Sequence, residues 1–173
     1  MDLSMHTMAV ETFLGMLESL ALWLDKGAAH ADARRLDLVN ARLAPDMYPL
    51  SQQVQQACFH ARDAVSRLTG RGPAKTDDTE KTVAGLKQQI ARTLDLLKNL
   101  EPSAFAGAAT QDCSINTPNG LLVEMDGVRY LRAWALPHFY FHIVTAYDIL
   151  RHDGVDLGKK DYLSQVGAFI KKP

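Results

Sequence analysis

Apolar residues return every three or four positions along four separate stretches of this 173-residue chain, and that period is the mark of helices with one buried face. Phe13, Leu14, Leu17, Leu20, Ala21 and Leu24 predict a first helix over about Met5 to Ala33, with Gly27 weakening or bending its end. The segment "RLAPDMYPLSQQ" (Arg42–Gln53) holds two prolines, so it reads as a structured connection. Pro49 or Ser51 then opens a second helix that runs to about Thr69. Val54, Ala57, Cys58, Ala61, Ala64, Val65 and Leu68 are its buried stripe, and Gly70 is its C-terminal cap. After the loop "GRGPAKTDD", Asp77 and Glu80 have the spacing of a capping box for a third helix. Val83, Leu86, Ile90, Leu94 and Leu97 form its face, and Pro102 stops it.

The pattern changes over residues 103–126. Short β-like runs flank Asn119-Gly120, a favoured hairpin dipeptide, so a small two-stranded hairpin is expected. Asp126 caps a short helical turn over Val128 to Trp134, and Pro137 sits at the first turn of a fourth helix from about Leu136 to His152. Gly154 ends that helix, and one further short helix is expected near Lys160 to Gln165. Together these elements predict an all-α fold. It is a single domain over residues 1–173, a four-helix bundle with a long crossover and a small β-hairpin between helices three and four.

Composition narrows the function classes. The net charge of −1 gives no basic surplus for gripping phosphate backbones, so nucleic acid is not an expected partner. Two cysteines, Cys58 and Cys113, are too few for a disulfide framework and read as free thiols in a reducing cytoplasm. Cys58 is expected in the core, and Cys113 is expected at an exposed position in the hairpin region. No secretion signal is visible, and no apolar run reaches the roughly 18 to 20 residues of a membrane span. Trp23 and, in part, Met16 lie off the stripe of helix one, an apolar surplus that suits a face between subunits.

The fourth helix carries the candidate chemistry. In "ALPHFYFHIVTAYDIL" (Ala135–Leu150), His138 and His142 are one turn apart on one face of a helix that is otherwise almost wholly apolar. That spacing lets two imidazoles reach one divalent ion. The pair lacks the glutamate of the H-E-x-x-H zinc motif, and histidines on apolar faces more often bond a carbonyl or hydroxyl. His60 lies on the flank of the stripe of helix two. Thr145, on the same stripe as the pair, and nearby carbonyls are candidates for orienting the rings. The aromatics Phe139, Tyr140, Phe141 and Tyr147 read as packing before they read as a ligand pocket. His152 suits the negative end of the helix dipole.

The stretches "LPHFYFHIVTAYDILRHDGVDLGKKDYL" and "RLAPDMYPLSQQVQQA" resemble a bacterial family of uncharacterised proteins in the DinB/YfiT-like superfamily. The resemblance spans most of the chain. It implies a four-helix bundle with a long crossover, and a homodimer. It also implies a divalent-metal site, zinc or nickel, built from one histidine of the second helix and a pair from the fourth, which fall here on His60, His138 and His142. Some superfamily members are thiol-dependent transferases, so the implied activity is that of a metal-dependent transferase or hydrolase on a small molecule. The histidines at the positions of His60 and His138 vary within the resembling family. The alternative is therefore a non-catalytic dimeric bundle, binding or stress-related, with a degenerate and metal-free site.

Overall fold

The computed structural model describes residues 4–76, 79–117 and 119–171. Four long helical segments form the bundle. A π turn, Thr7–Glu11, runs directly into α1 (Thr12–Arg34). Next come α2 (Leu50–Leu68) and α3 (Val83–Lys98). The crossover from α3 contains short 3-10 turns and a hairpin of β1 (Ile115–Asn116) and β2 (Leu122–Val123). The last long segment is α4 (Gly127–Tyr130), a π turn over Leu131–Ala135, and α5 (Leu136–His152). A short α6 (Lys159–Tyr162) and a 3-10 turn, Ser164–Phe169, complete the described chain.

The predicted stripes line the core, with Leu14, Ala21, Val83 and Leu94 half-buried at its edge. Phe13, Leu17, Leu20 and Leu24 of α1 meet Val54, Ala57, Cys58 and Ala61 of α2, Leu86 and Ile90 of α3, and Phe139, Ile143 and Ala146 of α5, all with no exposed surface. Helix α2 packs most extensively against α5, while α1 packs on α3 and α5. The segment Thr7–Arg34 is long and apolar enough by composition to cross a membrane, but its apolar face is spent on this core. Gly27 does not end α1. It lets the helix close on its neighbours, because an added Cβ would stand 2.9 Å from both Leu38 and Leu150. Gly70 follows α2 with φ +72°, the left-handed conformation that suits a glycine after a helix end. The hairpin turns at Asn119-Gly120 and pairs Ile115 with Val123 and Asn116 with Leu122, antiparallel.

Pro137 falls at the first turn of α5 as expected, while two other expectations need correction, each for a physical reason. Pro137 does not, however, begin the helical run. It lies inside one continuous helical run from Gly127 to His152, just beyond the π turn, where a wider backbone ring accommodates a residue without an N–H. Helix α3 starts at Val83, capped by the Thr82 hydroxyl, which accepts from the Gly85 N–H at 3.0 Å. The predicted cap Asp77 lies outside the described residues, and the Glu80 carboxylate instead accepts from Arg92 at 3.0 Å. Trp23 and Met16 do not form a bare apolar face either. They are 1 % and 5 % exposed, because the C-terminal segment folds across α1. The Trp23 indole N–H donates to the Asp161 carbonyl at 3.3 Å and its ring stacks on Tyr162 at 5.7 Å.

Candidate metal centre

Helices α2 and α5 run side by side in opposite directions, so His60 of the first meets His138 and Gln53 meets His142. Ring centroids stand 4.9 Å apart for His60 and His138, and 5.3 Å apart for His60 and His142. The structure thus brings together the three histidines singled out in the sequence. His142 is buried, while His60 and His138 are half-buried at the seam between the helices. Trp134 lies against His138 at 4.6 Å, Phe59 meets His60 edge-on at 5.3 Å, and Phe141 meets His142 edge-on at 5.3 Å. The cluster therefore sits in an aromatic wall.

Hydrogen bonds fix two of the rings. The Gln53 side-chain NH₂ donates to the Tyr48 carbonyl at 3.0 Å, so its Oε1 must face the other way. Oε1 stands 2.8 Å from His142 Nδ1, which is therefore the protonated nitrogen of the neutral ring. At His138, Nδ1 donates to the Trp134 carbonyl at 2.8 Å, an oxygen in the π turn. In both rings the lone pair is left on Nε2. Neither those Nε2 atoms nor either nitrogen of His60 has a hydrogen-bond partner among the described residues.

Thr145, a candidate for orienting the rings, does not do so. Its hydroxyl donates to the Phe141 carbonyl at 2.7 Å within α5. A nearby carbonyl does serve His138, as expected. Gln53, which sequence reasoning missed, serves His142; it lies inside "RLAPDMYPLSQQVQQA" and is only 1 % exposed. His6 and His30 bond the carbonyls of Leu100 and Asp153, each at 3.0 Å, which is the structural role expected of most histidines.

Burial and mutual repulsion keep His60 and His142 neutral. Burial, then the positive charge His142 and His138 would carry, holds His60 at about 3, with Asp63 pushing the other way. Burial, then His138, holds His142 at about 4. An unfolded histidine takes its proton near pH 6.5. Below that pH the unfolded chain binds more protons than the folded one, so stability is present at neutral pH and is lost as pH falls from about 6.5 toward 4. We expect a slope of at most about 1.4 kcal/mol per pH unit for each ring, and less where a ring reaches solvent. Urea unfolding between pH 7 and 4.5 checks this, and a His60→Gln/His142→Gln double variant should show a flatter profile.

One turn beyond His60, Asp63 is 5 % exposed and anchors a second polar cluster. Its carboxylate accepts from Arg67 Nε at 2.8 Å, from the Ala74 N–H at 2.9 Å and from the Tyr130 hydroxyl at 3.1 Å. Burial and the Asp63 charge push the Tyr130 hydroxyl far above its ordinary range. Cys113, expected at an exposed position, is 1 % exposed beside this cluster, and burial raises its thiol to about 11. It is no nucleophile at neutral pH. Cys58 is buried in the core as expected, and neither cysteine forms a disulfide.

The bundle with its hairpin crossover defines a helical fold of the DinB type. It is similar to the crystal structure of a DinB family member from Shewanella denitrificans, at 41 % identity and a TM-score of 0.86 over 97 % of this chain and 95 % of that one. A domain of unknown function, DUF1993, matches residues 5–163. The chain belongs to the DinB family and carries the DUF1993 domain. No curated protein matches it.

Proposed function

We propose that His60, His138 and His142 hold a divalent transition metal, zinc or nickel, and that the chain acts on a small molecule as a transferase or hydrolase, as a cytoplasmic homodimer. The observation that supports this most is the pair of fixed tautomers. Gln53 and the Trp134 carbonyl occupy Nδ1 of His142 and His138, so each presents Nε2 as a lone pair. Metal-ligating histidines have the same arrangement, with the second nitrogen tied to an outer acceptor.

The donor set fits such an ion in chemistry and in separation. Two imidazoles on one tetrahedral zinc, at Zn–N of about 2.0–2.1 Å, place their ring centroids roughly 5 Å apart. The separations here are 4.9 and 5.3 Å. Orientation is the difference. Among the described residues no group of three or more His, Cys, Asp or Glu stands in ligating geometry. His60 lies flat over His142, with ring planes 11° apart, so its face and not its nitrogen is turned to the pair. A rotation of His60 is required, and among the described residues no hydrogen bond to its ring opposes one. The chemistry such an ion supplies is a coordinated water or thiol that loses its proton near neutral pH. The chain contributes the imidazole donors, the orientation of two of them, and the aromatic neighbours Trp134, Phe59 and Phe141.

The stacking of His60 on His142 also favours a second reading, a metal-free bundle that binds a small molecule without transforming it. Zinc and nickel titrations into metal-stripped protein separate the two. The first reading predicts a saturable rise in melting temperature and a 10–100-fold weaker metal in Gln53→Ala, which removes only the outer partner of His142. An unchanged melting temperature in the native chain supports the second.

A further inference from the structure

The start of α2 carries a different set of unspent donors. Pro49 stands at its N-cap position and offers no side-chain acceptor. The Leu50 N–H goes to the Ala41 carbonyl at 2.8 Å and the Gln53 N–H to the Pro49 carbonyl at 3.0 Å. The amides of Ser51 and Gln52 find no protein acceptor among the described residues. The Ser51 side chain adds a third donor. Ser51 is only 6 % exposed, yet its hydroxyl has no hydrogen-bond partner among the described residues.

These donors meet at a cavity of about 390 Å³ whose lining includes Ser51, Gln52, Tyr48, Arg42 and Lys81. Arg42 is steered there by its own loop, donating to the Pro45 and Met47 carbonyls at 3.3 Å each. Lys81 makes no ion pair among the described residues. Asp46 is the acid in the lining, so two cations face one carboxylate. The positive end of a 19-residue helix adds to the same field.

We propose that this cavity is an oxyanion site, taking the phosphate or carboxylate group of a small molecule on the Ser51 and Gln52 amides, the Ser51 hydroxyl, Arg42 and Lys81. The volume leaves room for the rest of a small ligand, and Asp46 favours one that also carries a donor. None of the three histidines lines this cavity, so its test is independent of the metal reading.

Amide NMR of the full chain, titrated with inorganic phosphate and separately with acetate, tests the site against chloride at matched ionic strength. The expected result is a saturable shift at the Ser51 and Gln52 amides with at least one of the two anions, and the stronger responder identifies the preferred group. Ser51→Ala and the exposed Lys81→Gln should each weaken binding about tenfold, the usual loss for one charge-assisted hydrogen bond. Either of two results overturns the proposal: neither anion moves those amides beyond the chloride control, or both variants bind as tightly as the native chain.

Discussion

Asp63→Ala is expected to destabilise the fold by about 3–5 kcal/mol, the range for removing one partner of a buried ion pair. Asp63 accepts three hydrogen bonds from three parts of the chain: Arg67 on α2, the Ala74 amide in the following loop, and Tyr130 on α4. Arg67 also donates to the Ser114 carbonyl at 3.4 Å, which extends the cluster to the crossover. Removing the carboxylate leaves a guanidinium, an amide and a hydroxyl without their acceptor in a dry setting. Domains of this kind hold only about 5–15 kcal/mol in total, so the loss is a large share. The check is the urea midpoint at constant slope. A loss below about 1 kcal/mol would mean that water replaces the carboxylate. Tyr130→Phe removes one donor only and should lose about 1 kcal/mol.

His142→Ala has the largest expected effect on the proposed centre. It removes a donor whose tautomer Gln53 fixes, and metal affinity should fall by more than the roughly 100-fold upper range for losing an outer partner. The variant should still fold, because the Ala side chain leaves the neighbouring apolar contacts of Ile143 and Ala146 in place. Calorimetric titration with zinc, alongside circular dichroism, measures both properties. Unchanged affinity in a folded variant would place the metal elsewhere. Any turnover later found for the chain should fall with it.

The sequence pattern carried the helices because each stripe is built from large aliphatic residues at a regular period. Phe13, Leu17, Leu20 and Leu24 sit where their spacing places them, and so do Leu86 and Ile90. The chain breaks were less legible. Pro137 marks the first turn of α5 as read, but nothing in the local composition announces the π turn that joins α5 to α4. Trp23 looks surplus on α1 because its cover, Tyr162 and the Asp161 carbonyl, comes from the far end of the chain. The histidine trio was visible as three positions and a resemblance. Its supports were legible only in part: a nearby carbonyl was expected and is that of Trp134, four residues before His138 in the same helical run, whereas Gln53 becomes a partner only when α2 and α5 pack in opposite directions. Asp63 had one faint signal, an arginine four residues on, but surface pairs share that spacing.

The account rests on three imidazoles acting as one ligand set. The most direct measurement is the metal content of the chain purified without an affinity tag and re-exposed to zinc or nickel. One ion per chain in the native protein, and none in His142→Ala, is the predicted result. A stoichiometry near zero, with the melting temperature unmoved by either metal, would contradict it.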